Sequence, residues 1–282
     1  LSKVDLHIHS TASDGKYPPQ EVVRKAAEAG LTTIALTDHD TVDGIAAALT
    51  AAKSFPGLRV IPGVEVSTDV EDGEIHVLGF FMDYTDPDLS ATLAHFRASR
   101  ETRAKKIVAK LASLGISIDW ERVQQLAGDG TIGRPHIAQA MLEQGYITSL
   151  REAFNKYIGR TGPAYVEREK MTPPEAVKLI LKARGLPVLA HPFSTKNPEH
   201  WVARLKRAGL CGLEAYYADH TPEDTEHLLQ LAAKYALVVT GGSDFHGLES
   251  GIGAPLGGVE VPEEAANRLI ALAEKRGLKT YG

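Results

Sequence analysis

Apolar and polar positions alternate along residues 4–9, where Val4, Leu6 and Ile8 interleave with Asp5, His7 and His9. This is the period-two pattern of a strand whose two faces meet different surroundings, and it points His7 and His9 the same way. Short apolar runs recur at residues 33–37, 59–66, 75–81, 187–190, 212–216 and 237–241, which makes seven expected strands. Between or after several of them the apolar positions take helical spacing, at residues 18–29, 42–53, 172–184, 199–208, 222–235 and 262–276. Such alternation predicts βα units around a parallel sheet. The punctuation agrees. Pro18, Pro19, Pro173 and Pro174 suit first helical turns, Thr172 and Thr221 suit N-caps, and Gly30 and Gly185 follow the last periodic residues as C-caps do.

Residues 87–163 break the rhythm. Helical spacing at 93–114, 120–127, 135–144 and 149–157 follows without a clear strand between. The expectation is a barrel built from residues 1–86 and 164–282, interrupted by an all-helical insertion at 87–163 that could act as a substrate cap. Arg97, Arg100, Glu101, Arg103, Lys105 and Lys106 crowd the first insertion helix, a pattern expected of a solvated face.

Composition adds limits. A chain of 282 residues is ordinary for one α/β barrel with an insertion. No apolar run reaches the ~18 residues of a membrane span, and residues 1–3 lead straight into strand-like sequence without the charge and cleavage pattern of an export signal. A soluble, cytoplasmic protein without a membrane partner is expected. Cys211 is the only cysteine, which excludes an internal disulfide and any multi-thiolate metal site. The net charge of −5 disfavours a broad nucleic-acid surface, so stable binding of duplex DNA is not expected.

The candidate chemistry lies at strand ends. His7 and His9 close the first strand, Asp14 lies in the loop after it, His39 follows the second, and Glu65 ends the third. His76 lies in the fourth, His191 ends the fifth, and Asp244 and His246 follow the seventh. In parallel β/α folds the C-terminal strand ends converge on one mouth. A single His-x-His pair on a strand is weak, because strand histidines are commonly half-buried with ordinary partners. Six histidines and three carboxylates meeting in one mouth would repel or suffer desolvation unless cations neutralised them. Nitrogen and carboxylate donors without sulfur suit Mn²⁺, Fe²⁺ or Zn²⁺ better than Ca²⁺ or Mg²⁺ alone. At about three ligands per catalytic ion, with a bridging carboxylate, these nine residues could hold two or three ions, three being preferred. Such a cluster can turn bound water into hydroxide near neutral pH and clamp the attacking and leaving oxygens of a phosphoryl displacement. No residue is assigned to protonate the leaving group.

The chain resembles the PHP family, named for polymerase-associated and histidinol-phosphatase domains. The resemblance rests on Asp5-Leu6-His7-Ile8-His9-Ser10, Thr37-Asp38-His39-Asp40-Thr41, Pro62-Gly63-Val64-Glu65-Val66-Ser67, Ala190-His191-Pro192 and Gly242-Ser243-Asp244-Phe245-His246. It implies a distorted (β/α)₇ barrel with a trinuclear centre, Mn²⁺ being the expected metal. By that resemblance His7, His9, Glu65 and Asp244 hold one ion, Glu65, His76 and His191 a second, and Asp14, His39 and His246 a third. Some family members carry His where Asp14 stands, which bears on metal preference. Asp-Gly after the first strand, the spacing from Glu65 to His76, and Gly133-Arg134-Pro135-His136 in the insertion look like the branch that hydrolyses nucleoside 3′,5′-bisphosphates. That branch includes 5′-to-3′ exoribonucleases acting on short RNA, so the partners implied are a small nucleotide and short single-stranded RNA.

A second phosphate on the substrate calls for an arginine fork or a lysine. Arg134, His136, Arg160, Lys196 and His220 are the candidates, each with a blander reading as a cap, surface or turn residue. Tyr216 and Tyr217 could offer a ring for base stacking, and Asp38 could orient a ligand imidazole. His95, His200 and His227 fall in helical stretches and read as surface residues. Three other readings compete. A histidinol-phosphatase-like phosphomonoesterase lacks the insertion, an amidohydrolase lacks its metal-bridging lysine here, and a non-catalytic metal-binding regulatory module has no reason to keep the full ligand set.

Overall fold

The alternation at residues 4–9 forms strand β1 (Val4–Ile8), buried along its whole length. The computed structural model describes residues 3–70, 73–128, 132–167, 171–247 and 254–281. Leu1 and Ser2, which enter the expectation about an export signal, lie outside them. After β1 the strands are β2 (Thr33–Leu36), β3 (Arg59–Val70), β4 (Gly73–Phe80), β5 (Leu186–Leu189), β6 (Gly212–Tyr217) and β7 (Val238–Gly242). The helices are α1 (Pro19–Glu28), α2 (Ile45–Ala52), α3 (Pro87–Ser113), α4 (Trp120–Ala127), α5 (Arg134–Glu143), α6 (Leu150–Ala153), α7 (Pro173–Lys182), α8 (Pro198–Ala208), α9 (Pro222–Lys234) and α10 (Glu263–Lys275). A π-helical turn, Phe154–Ile158, continues α6, and a 3₁₀ turn, Pro192–Ser194, follows β5.

The chain divides into two compact units, Leu1–Ala91 with Lys170–Gly282, and Thr92–Glu169. The divisions fall a few residues after the boundaries expected at 86/87 and 163/164, because the first turns of α3, with Leu89 buried, belong to the barrel unit.

In the barrel unit the strands follow one another in sequence order. The expected parallel pairing holds for β1 to β3 and for β5 to β7, but β4 runs antiparallel to both β3 and β5. Only two residues separate β3 from β4. A parallel return needs a crossover of a dozen or more residues, so this pair closes as a hairpin. Strand β3 accordingly runs past Glu65 to Val70, and His76 returns opposite Ser67. The hairpin thus brings His76 to the same end of the barrel as Glu65.

The barrel nearly closes between its first and last strands. Ile8 bridges Phe245 in parallel, and the His9 N–H donates to the Phe245 carbonyl at 2.9 Å. A Cβ at Gly242 would lie 2.4 Å from the His7 nitrogen, so only glycine permits this approach of β7 to β1. Buried Asp5 fastens the seam by accepting from the Ser243 N–H at 2.9 Å, the Ser243 hydroxyl at 2.6 Å and the Gly257 N–H at 2.9 Å.

Apolar side chains fix the layers. Leu6, Ile61, Leu78, Phe80 and Val188 share a cluster with Leu269 and Ala273 of α10. On another side Val22, Val23 and Ala26 of α1 and Ala48 of α2 pack with Ile8, Ile34 and Leu36. Thr221 caps α9 as expected, accepting from the Asp224 N–H at 3.1 Å. The left-handed residue after α7 is Arg184, at φ +61°, where Gly185 had the expected role. Gly185 is needed for space instead, since a Cβ there would meet Met82 and Ile180 side chains at 2.9 Å.

The helical unit has its own core, including Ile107, Leu111, Val123, Ile137, Met141 and Ile158. Its first helix is not a uniformly solvated face, because Arg103 is buried. No helix among the described residues is long and apolar enough to cross a membrane.

Candidate metal centre

Six of the seven strands, or the residues just after them, deliver the candidate ligands. His7 lies within β1 and His9 just beyond it, and both are fully buried. His39 follows β2 and bridges Glu65 of β3, while His76 comes from β4. His191 follows β5, and Asp244 and His246 follow β7. The backbone bends sharply to present some of them. His191 has φ +24° and Asp244 φ +53°, conformations that cost of order 1–3 kcal/mol and persist where packing enforces them.

Glu65 is the hub. Its Oε2 lies 3.3 Å from His7 Nε2, 3.3 Å from His9 Nε2 and 3.0 Å from His39 Nδ1. Its Oε1 lies 2.8 Å from His76 Nδ1 and 3.0 Å from His191 Nε2. Asp244 Oδ1 stands 3.0 Å from His9 Nε2 and 3.4 Å from His7 Nε2. Asp14 completes the far side, 3.4 Å from His246 Nε2, 3.7 Å from His9 Nδ1 and 4.0 Å from His39 Nε2. Among the described residues three groups have donor atoms mutually within 4.8 Å: His7, His9, Glu65 and Asp244; His9, Asp14, His39 and His246; and His39, Glu65 and His76. The second group adds His9 to the trio implied by resemblance, and the third contains His39 where His191 was implied.

The donor atoms fit a cation better than one another. His7 Nε2, both ring nitrogens of His9, Glu65 Oε2 and Asp244 Oδ1 are buried without a hydrogen-bond partner among the described residues. Each such atom costs about 1–3 kcal/mol when left unpaired. Ligand atoms about 2.1 Å from a shared ion stand roughly 3–3.5 Å apart, as these largely do. Burial pushes the His7 pKa down, but Glu214, Asp244 and Glu65 outweigh it and raise it well above the ordinary value. For His9, burial is likewise outweighed by Asp244 and Glu65, and its pKa rises to about 10. His39 goes the other way, to about 3, because burial dominates. Burial works to raise Glu65, yet His39, His7 and His76 hold it well below the usual carboxylate range.

Without metal, then, His7 and His9 keep protons that a metal must displace. Metal binding at pH 7 is expected to release protons, and apparent affinity to climb with pH until His9 deprotonates unaided near 10. Calorimetric titration of the metal-free chain in two buffers of different ionisation enthalpy checks this. Equal heats in the two buffers would contradict it.

Around the candidate ligands stands a second set of buried groups. Glu214, in the middle of β6, accepts from His7 Nδ1 at 3.0 Å and from the His191 N–H at 2.8 Å. This turns His7 Nε2 toward the centre, where a metal would replace its proton, the arrangement by which a carboxylate orients a metal-binding imidazole. The His246 Nδ1–H donates to the Asp244 carbonyl at 2.8 Å, which points its Nε2 at Asp14. Glu214 is absent from the expected site, although a lone acid inside the apolar run Gly212–Tyr217 is a signal for it. The role expected of Asp38 needs correction. It accepts from the Ser10 N–H and the Ser10 and Ser13 hydroxyls, each at 2.7 Å, and so fastens the loop that carries Asp14 rather than an imidazole. Buried Asp40 accepts from the Ser67 N–H at 2.8 Å. The tyrosine pair divides differently from the base-stacking expectation. Tyr216 packs on the barrel core, and the Tyr217 hydroxyl donates to Asp244 Oδ2 at 2.9 Å.

Residues 5–184 match the PHP domain family. The chain belongs to the PHP family. A 5′-3′ exoribonuclease of Haemophilus influenzae is 38% identical over 248 residues, which cover 86% of this chain and 90% of the relative. A 3′,5′-nucleoside bisphosphate phosphatase of Chromobacterium violaceum is 32% identical over 251 residues, 87% of this chain and 88% of the relative. A phosphoribosyl 1,2-cyclic phosphate 1,2-diphosphodiesterase of Eggerthella lenta is 32% identical over 247 residues, 86% and 94% of the two chains. Among solved structures, one from Bifidobacterium adolescentis assigned to the metal-dependent phosphoesterases superposes with a TM-score of 0.85 at 31% identity, over 95% of each chain. This PHP protein is a metal-dependent phosphoesterase with a distorted (β/α)₇ barrel, and its chemistry uses divalent metal ions.

The five candidates for substrate contact in this PHP chain are distributed over both units. In the helical unit Arg134 opens α5, its guanidinium 5.6 Å from the Phe154 ring centroid. His136 Nδ1 accepts from the Gly133 N–H at 3.0 Å and so serves as a helix cap. Arg160 is exposed in the turn after Phe154–Ile158. In the barrel unit Lys196 is exposed between the 192–194 turn and α8, and the His220 Nδ1–H donates to the Ala215 carbonyl at 2.9 Å. His95, His200 and His227 are exposed on their helices.

Proposed function

We propose that the chain hydrolyses nucleoside 3′,5′-bisphosphates to a 5′-nucleotide and phosphate, and shortens 5′-phosphorylated RNA in the 5′-to-3′ direction. The observation that carries this reading is the cluster around Glu65, where two or three divalent ions would outweigh the charge of Asp14, Glu65 and Asp244. The relatives from H. influenzae and C. violaceum, covered nearly end to end, favour the nucleotide substrates. We assign the ions as Mn²⁺ in a trinuclear centre, since mixed imidazole and carboxylate donors suit it. His7, His9, Asp14, His39, Glu65, His76, His191, Asp244 and His246 would hold them. When bound, the ions supply an activated water and neutralise charge on the phosphoryl oxygens. The chain's own part is to hold the ligand rings in the right tautomers, through Glu214 for His7 and the Asp244 carbonyl for His246. Arg134, His136, Arg160, Lys196 and His220 are proposed substrate contacts. A cytoplasmic setting suits the single buried Cys211.

The test is product release by Mn²⁺-loaded protein from four compounds: adenosine 3′,5′-bisphosphate, a 5′-phosphorylated oligoribonucleotide, phosphoribosyl 1,2-cyclic phosphate and histidinol phosphate. Expected is phosphate from the bisphosphate and mononucleotides from the oligomer, both abolished in His7→Ala. Turnover of the cyclic diester alone would move the chain to the activity of the E. lenta relative. Histidinol phosphate alone would make it a histidinol-phosphatase-like enzyme, and no turnover with metal bound would leave a regulatory metal-binding module.

A further inference from the structure

The proposed reaction leaves one apolar feature beside the metal centre without a task. Phe193 follows His191 by two residues, in the 192–194 turn, and its side chain is 38% exposed. Large apolar side chains at this exposure are rare in the described part of the barrel unit. The Phe193 ring meets His220 edge to face, with centroids 5.3 Å apart at 87°. His220 in turn lies 5.2 Å from Tyr217, and Tyr217 lies 5.4 Å from His191. A row of aromatic rings therefore runs from a ligand of the centre outward to Phe193.

We infer that Phe193, backed by His220, is the surface on which the nucleobase of the substrate stacks, so that it sets the preference for nucleotides over simple phosphate esters. The inference rests on the nucleotide reading above. Three features support it. The hydrogen bond to the Ala215 carbonyl fixes the His220 ring, so the support for Phe193 is rigid. The turn is anchored as well, with the Ser194 hydroxyl donating to the Glu74 carbonyl at 3.0 Å. A nucleotide whose phosphate occupies the centre carries its base one sugar away, and two residues of chain place the Phe193 Cα at most about 7 Å from the His191 Cα. An exposed ring at that remove offers a π-face to any base without selecting among them.

Kinetics of the metal-loaded full chain on adenosine 3′,5′-bisphosphate and on its abasic tetrahydrofuran counterpart test the inference, together with calorimetric binding of 5′-AMP. Phe193→Ala is expected to raise KM for the adenosine compound, and Kd for 5′-AMP, on the order of ten-fold or more. The value of kcat and the abasic kinetics should stay within about two-fold, and Phe193→Trp should restore affinity. A structural role in placing His191 would instead lower kcat on both compounds alike, and that result overturns the inference. So does an unchanged KM and Kd in Phe193→Ala while the wild-type chain turns over the adenosine compound. Wild-type protein inactive on both compounds overturns the nucleotide reading and this inference with it.

Discussion

Glu65→Ala is expected to lower turnover by about 10³-fold or more and to reduce the metal bound per chain by at least one ion. The reason is geometric. One carboxylate lies within 3.3 Å of nitrogens from five histidines, so no other side chain among the described residues joins as many of the candidate ligands. Its loss removes the bridge between the group containing His7, His9 and Asp244 and the group containing His39 and His76. Lewis-acid stabilisation of a phosphoryl transition state is worth several kcal/mol, and about 4 kcal/mol corresponds to 10³-fold. The barrel should survive, because the backbone pairing of β3 does not use this side chain. Metal analysis after gel filtration, with steady-state kinetics and circular dichroism, checks all three points. A variant with its full metal complement and turnover within ten-fold of wild type would remove Glu65 from the centre.

Glu214→Gln is expected to weaken metal binding by about 10- to 100-fold while leaving the first ligands in place. Both carboxylate oxygens of Glu214 accept, one from His7 Nδ1 and one from the His191 N–H. Glutamine offers one oxygen and one NH₂, so one of these two donors must face another donor. It also withdraws a negative charge that keeps His7 protonated in the metal-free state, which eases entry of the metal and keeps the loss moderate. Activity should therefore return at high Mn²⁺, in contrast to Glu65→Ala, where added metal cannot replace the bridge. A titration of activity against free Mn²⁺ separates the two cases, and an unchanged midpoint in Glu214→Gln would show that His7 is oriented without it.

Much of this site was legible in the chain because strand periodicity is a local property. His7 and His9 share a face by alternation alone, and the positions of His39, His191, Asp244 and His246 after their strands followed from the βα rhythm. What failed was what depends on pairing between distant segments. The direction of β4 follows from the short link to β3, yet the apolar pattern of residues 75–81 is the same for either direction. Asp38 lies next to His39 in sequence, which invites a role toward that ring, while the folded loop turns it to Ser10 and Ser13. Glu214 shows the reverse case, a partner of His7 that lies 207 positions away and gives no local sign of it except an acid amid apolar neighbours. Likewise, Tyr217 could be read as an aromatic ring in the sequence, but its hydrogen bond to Asp244 exists only once β6 and β7 pair.

The most direct test of the central claim is anomalous X-ray scattering at the manganese edge from crystals of the chain grown with Mn²⁺. A peak is expected about 2.0–2.3 Å from donor atoms of His7, His9, Glu65 and Asp244, and at least one more that shares Glu65. A mouth without anomalous peaks, or ions whose ligands leave out Glu65, would contradict it.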